Sequence, residues 1–210
     1  MTPQTPTMYI VDDDASFRTA IARLLKTSGY QVALYESGEQ LLENPPALAP
    51  GCVLLDLEMP GLSGLDLQDR LAKMGYTLPI VFLTGHGDIP ASVRAIKAGA
   101  EDFLSKPVAK KPLLEAIQHA LARQQVAREH HERLAALRAL VATLTPRETE
   151  VFALVVRGKL NKQIAHELGT SERTIKAHRH NIMQKLQIQS LAELVLIAEQ
   201  LGIVGAPVKR

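Results

Sequence analysis

The chain has 210 residues, of which 46% are hydrophobic and 22% charged, with a single cysteine and no tryptophan. The lone Cys52 excludes an intramolecular disulfide and a cysteine-cluster metal site; with no apolar run long enough for a membrane span and no signal-peptide layout at the N-terminus, a cytoplasmic location is expected. The net charge of +2 is unevenly spread, since residues 1–123 carry 11 Lys and Arg against 14 Asp and Glu while residues 145–210 carry 10 against 6, so two domains with different partners are expected.

Taken in order, residues 8–11 form a short apolar strand that runs into Asp12, Asp13 and Asp14. Three adjacent acids repel one another unless a cation sits among them or they face open water. Asp14 can cap the next helix, in which Phe17, Ala20, Ile21, Leu24 and Leu25 follow helical spacing and Gly29 marks the end. Residues 31–35 are the second strand, residues 38–42 a short helix, and Pro45-Pro46 a loop. The apolar run Cys52-Val53-Leu54-Leu55 is the third strand and ends at Asp56, before the turn Met59-Pro60-Gly61. An acid at the C-terminal end of a buried parallel strand faces the crevice where open α/β sheets bind ligands.

Ser63 can cap a helix carrying Leu65, Leu67 and Leu71. Residues 79–83 form the fourth strand, followed by Thr84 and the loop Gly85-His86-Gly87-Asp88, in which Asp88 caps a helix holding Val93, Ile96 and Ala98. The fifth strand, residues 102–105, leads into Lys106-Pro107. Five strands alternating with helices predict a parallel sheet covered on both faces. Its rim would carry Asp12, Asp13, Asp56, Thr84 and Lys106. Taken singly, each is more often a cap or a turn residue. Together, the carboxylates are hard ligands suited to Mg²⁺, and a hydroxyl with an ammonium suits the oxygens of a transferred phosphoryl group.

Val11-Asp12-Asp13, Leu54-Leu55-Asp56-Leu57-Glu58-Met59-Pro60-Gly61, Leu83-Thr84 and Ser105-Lys106-Pro107 resemble the receiver domain of two-component response regulators over about residues 8–123. The resemblance implies a flavodoxin-like sheet of order 2-1-3-4-5 and Asp56 as the acceptor of a phosphoryl group from a sensor histidine kinase. It also implies Asp13 as a direct Mg²⁺ ligand, Asp12 as a water-mediated one, and Glu58 as donor of its backbone carbonyl. Thr84 and Lys106 would contact the phosphoryl oxygens, and Phe103 would reorient on activation. Gly85-His86-Gly87-Asp88 further resembles the FixJ branch, while Val108 stands where an aromatic commonly follows Lys-Pro.

From Pro112 the helical pattern runs unbroken to about residue 144, with Leu113, Leu114, Ile117 and Leu121 able to pack on the first domain. Residues 124–143 read as a helical linker, polar all round in its middle, so His130 and His131 belong to a solvated face. Leu134, Leu137, Val141 and Leu144 form an a/d-like seam too short to establish a coiled coil.

A third segment, residues 144–210, opens with the capping box Thr145-Pro146-Arg147-Glu148. Val151, Phe152, Val155 and Val156 give its helix an apolar face, and a short helix with Ile164, Ala165 and Leu168 inward follows. The turn Gly169-Thr170-Ser171 leads into a helix from Glu172 to about Leu186, a helix-turn-helix arrangement. On that last helix Ile175, His178, Ile182 and Leu186 would face inward, and Arg173, Lys176, Ala177 and His180 outward. A basic stripe with one small residue suits a DNA major groove, where Ala177 could meet a thymine methyl; the bland alternative is a solvated basic face. His178 fits either a half-buried histidine or a phosphate contact.

Leu144-Thr145-Pro146-Arg147-Glu148, Asn161-Lys162-Gln163-Ile164-Ala165 and residues 174–182 resemble the LuxR/NarL-type DNA-binding domain. The resemblance implies four helices, base readout near Lys176, Ala177 and His180, and phosphate contacts around Lys162, Ser171, Arg173, Thr174 and Lys185. Leu191, Leu194, Val195 and Ala198 on the last helix would then dimerise the domain. The expected protein is a response regulator that dimerises on phosphorylation, binds double-stranded DNA and engages RNA polymerase, with no membrane partner and no external substrate to turn over. One rival is an aspartyl-phosphate phosphohydrolase, but such enzymes carry Asp-x-Asp where this chain has Asp56-Leu57-Glu58. A receiver that docks on protein alone leaves residues 144–205 unexplained.

Overall fold

The computed structural model describes residues 5–46, 50–85 and 89–203. Two compact units divide the chain, Met1–Ala127 and Arg128–Arg210.

In the first unit β1 (Thr7–Val11), β2 (Gln31–Tyr35), β3 (Gly51–Asp56), β4 (Ile80–Thr84) and β5 (Asp102–Ser105) form one sheet of order β2-β1-β3-β4-β5. Every pairing is parallel, with Val11 opposite Leu55, Asp56 opposite Leu83 and Thr84 opposite Ser105. Side chains alternate along a strand, so each face takes its own half of each apolar run. One face, built by Met8, Ile10, Cys52, Leu54, Val81 and Leu83, is covered by α1 (Ala15–Thr27) and by the first turns of α5 (Lys110–Val141) through Leu113, Ala116, Ile117 and Ala120. Tyr9, Val11, Val53, Leu55, Ile80 and Phe82 build the other, under α2 (Gly38–Glu43), α3 (Gly64–Lys73) and α4 (Ile89–Lys97). Residues 51–56 are buried throughout, which is why the third strand reads as a continuous apolar run.

The helix starts follow their capping residues: Asp14 accepts from the N–H groups of Ser16 and Phe17, and Ser63 from that of Asp66. The expected cap Asp88, with His86 and Gly87, lies outside the described residues. In α1 the expected Phe17, Ile21, Leu24 and Leu25 do pack inward and one position differs, whereas α4 turns a different stripe inward than the spacing suggests. In α1 the small residue against the sheet is Ala22 and Ala20 is exposed. In α4 Ala91 and Ala95 are buried, leaving Val93 and Ile96 nearly half exposed and Ile89 75% exposed. Helical spacing permits both stripes on α4, and the small one lets the helix approach the sheet.

The second unit packs α6 (Pro146–Val156), α7 (Asn161–Glu167), α8 (Glu172–Lys185) and α9 (Leu191–Gln200) around Phe152, Val155, Ile164, Ile175, Ile182 and Leu194. Leu137, Leu140 and Val141 from the end of α5 pack against this core and Leu144 enters it, which accounts for the apolar seam of the expected linker. The capping box at Thr145 and Glu148 is formed on both sides.

Candidate functional site

Because β1 and β3 are neighbours, Asp12 and Asp56 leave the sheet side by side. Carboxylate oxygens of Asp12, Asp13 and Asp56 all lie within 4.8 Å of one another. Asp12 and Asp56 are buried, and Asp13 is exposed. The ammonium of Lys106, carried past the end of β5, sits between the two buried acids, 2.6 Å from Asp12 Oδ2 and 2.9 Å from Asp56 Oδ2. It also lies 4.3 Å from the centroid of the Phe17 ring. Burial pushes the Asp12 carboxyl up from its ordinary range, against the pull of Lys106 and of the Asp14 N–H. For Lys106 burial opposes the charge, but hydrogen bonds to Asp12 and Asp56 outweigh it and the ammonium is held above its ordinary value. One ammonium thus pairs with two of the three clustered carboxylates.

These donors fit Mg²⁺. They are hard carboxylate oxygens gathered at one point, and exposed Asp13 leaves a side on which the ion could keep its waters. Thr84, fully buried, ends β4, and its carbonyl accepts the Lys106 N–H at 2.6 Å, so the hydroxyl and the ammonium are delivered by neighbouring strand ends. Phe103 is half-buried on β5, its ring centroid 6.1 Å from that of Phe82. Glu58 is exposed in the loop after β3.

That loop turns tightly. The Gly64 N–H donates to the Leu57 carbonyl at 3.0 Å, and a Cβ on Gly64 would lie 2.2 Å from the Asp56 carbonyl oxygen, so only glycine lets α3 begin this close to the acidic rim. From α2, Glu39 Oε1 accepts the Leu62 N–H at 3.0 Å and ties the loop down. Sequence reasoning assigned Glu39 no role, because a contact across 23 residues leaves no local signal.

In the second unit α8 projects Arg173, Lys176, Ala177 and His180 to solvent, as its spacing predicts. Ser171 caps α8 through the Thr174 N–H, and the two hydroxyls lie 2.9 Å apart. Lys162 is exposed on the first turn of α7. His178 is half-buried, but the inward stripe also contains Arg179, whose guanidinium donates to Asn161 Oδ1 at 2.8 Å. Lys185 differs from expectation as well. Its ammonium lies 2.6 Å from the carboxylate of buried Glu148 and donates to the Thr143 carbonyl at 3.2 Å, so it is an internal tie before it is a phosphate contact.

The face assigned to dimerisation is also corrected. Leu194 and Ala198 are 3% and 0% exposed and belong to the core of their own unit. Val195 is half-buried, while Leu191 at 45% and Leu196 at 54% are the large exposed apolar side chains of α9. A helix that must cover its own domain has only its outer stripe left for a partner. Among the described residues no helix is long and apolar enough to cross a membrane.

Two family models match the chain: the response regulator receiver domain over residues 8–118, and bacterial regulatory proteins of the luxR family over residues 142–203. Nodulation protein W of Bradyrhizobium diazoefficiens is 43% identical over 93% of this chain and 86% of its own length. The transcriptional regulatory protein FixJ of the same organism is 39% identical over 94% of this chain and 97% of its own. Among solved structures, the response regulator StyR is 46% identical, covers 94% of this chain and 100% of its own, and superposes with a TM-score of 0.83.

Proposed function

The chain belongs to the response regulators that join a receiver domain to a LuxR-type DNA-binding domain, and from that premise we propose that Asp56 is its phosphoacceptor and α8 its base-reading helix. The relatives are two-component transcriptional regulators, and a receiver domain implies a histidine kinase as partner.

The observation that carries the assignment is the setting of Asp56. It ends the central strand beside two other acids, with Lys106 Nζ 2.9 Å from its carboxylate. Receiver domains bind Mg²⁺ at an acidic pocket, and here Asp12, Asp13, Asp56 and the backbone carbonyl of Glu58 would hold it. The ion supplies charge neutralisation among the carboxylates and the incoming phosphoryl oxygens. An Asp56 carboxylate oxygen attacks the phosphorus of a kinase phosphohistidine; the new P–O bond forms as the P–N bond breaks, and the electron pair returns to the imidazole. Lys106 is a compact point charge on a flexible stem, able to pass from Asp56 to a phosphoryl oxygen without losing a rigid fork of hydrogen bonds. Thr84, on the next strand end, takes the other contact. The added charge and acceptors then bias Thr84 and Phe103 toward a second arrangement. Self-phosphorylation and slow self-dephosphorylation complete the chemistry at this site.

In the second unit Lys176, Ala177 and His180 read bases while Lys162, Ser171, Arg173 and Thr174 position the helix on phosphates. Phosphorylated chains pair through Leu191, Val195 and Leu196, bind a two-fold operator and recruit RNA polymerase.

The test is Asp56→Asn with a labelled phosphohistidine donor. The variant should fold, because removing one charge relieves repulsion in the cluster, and should take up no label. Stoichiometric labelling of the variant refutes the assignment.

A further inference from the structure

The inward stripe of α8 runs Ile175, Arg179, Ile182, Leu186, and three of the four are 2% exposed or less. An arginine between two fully buried isoleucines breaks the apolar pattern, and such breaks concentrate at functional positions. An apolar residue there would continue the buried face, whereas Arg179 is half-buried and borders a hollow of about 230 Å³ with Val155, Ile182, Met183, Leu191 and Leu194. What Arg179 does instead is reach Asn161 Oδ1 at 2.8 Å, across 18 residues, on the first turn of α7.

We propose that Arg179 is a positioning residue for sequence recognition, locking α8 to the start of α7 through Asn161. Asn161 precedes Lys162, a phosphate contact in the reading above, and Arg179 shares its helix with Lys176, Ala177 and His180, the base contacts. A duplex presents its backbone and its base edges at fixed separations, so both sets engage together only when α7 and α8 keep one register. The guanidinium–amide bond spans the two helices at this point. Freed of it, either set still binds alone: phosphate-driven affinity for any sequence persists, and the extra affinity for the correct sequence falls. This inference rests on α8 being the groove helix.

The experiment uses the full chain and two probes, a duplex recovered by the wild-type protein from a random-sequence library and a scrambled duplex of the same composition, titrated at several salt concentrations. Arg179→Ala should lose about tenfold or more on the recovered duplex. It should lose less than about twofold on the scrambled one, with an unchanged salt slope. Asn161→Ala, which leaves the α8 stripe intact, should do the same, the double variant should lose no more than either single one, and Arg179→Lys should recover part of the loss. Equal loss on both duplexes, a salt slope lowered by about one contact, or single losses that multiply in the double variant each overturn the proposal. Lys176→Ala separates the two failures. If it leaves base preference unchanged, α8 is not the groove helix and both readings fall; if it relaxes preference at one base position while Arg179→Ala does not lower selectivity, only the positioning role falls.

Discussion

Of the three acids at the rim, Asp13 is the one that solvent reaches, while Asp12 and Asp56 already share Lys106. An incoming divalent cation therefore gains most from Asp13. Anything that binds the folded state and not the unfolded one raises stability by an amount that grows with ligand concentration, logarithmically once that concentration exceeds Kd. Mg²⁺ should raise the melting temperature of the wild-type protein, and Asp13→Ala should abolish most of that rise. Thermal melts across a Mg²⁺ titration measure it, and an equal rise in the variant removes Asp13 from the ligand set.

At the scale of an element, α8 is held at both ends. Ser171 caps its start, and near its end Lys185 reaches the buried Glu148 of α6. The Lys185 ammonium and then the Thr145 N–H hold the Glu148 carboxyl below its ordinary value of 4.5. A carboxyl depressed by folding contributes stability that is present above its unfolded value and is lost as pH falls through the lower, folded one. Urea unfolding of wild type and Glu148→Gln should therefore converge as pH drops below about 4.5; a gap that stays constant with pH refutes the linkage. Lys185→Ala leaves the buried carboxylate without its ammonium and should cost about 1–3 kcal/mol of stability of the second unit. DNA binding by this variant thus mixes a folding effect with any phosphate effect, unlike Lys162→Ala, whose side chain stands in solvent.

For the whole molecule, the proposed pairing of phosphorylated chains needs a surface. Among the described residues, large apolar side chains stand exposed on α9 at Leu191 and Leu196 and along one face of α4 at Ile89, Val93 and Ile96. Leu191→Glu with Leu196→Glu should keep the phosphorylated chain monomeric in sedimentation with duplex DNA, because charges on both faces of an isologous contact meet each other. A dimer that survives both changes excludes α9 and leaves α4 as the face to test. Neither substitution touches the buried Leu194 or Ala198, so the fold should stand.

Element order, the five-strand parallel sheet, both classes of domain and the identity of the rim residues are all legible in the amino-acid sequence. Those signals are local: an apolar run that ends in an acid, a capping Ser or Thr with Glu three residues on, a turn that needs glycine. Tertiary structure alone decided which of two apolar stripes a helix buries. Ala91 and Ala95 went inward and Val93 and Ile96 outward, and Leu194 and Ala198 were taken by their own core. Spacing defines a stripe, but only the neighbouring element sets how close that stripe must come. The polar ties Glu39 to Leu62, Arg179 to Asn161 and Lys185 to Glu148 were likewise invisible in sequence. Each joins residues 18 or more positions apart, and a charge that satisfies a distant backbone or amide group reads locally like any solvated one.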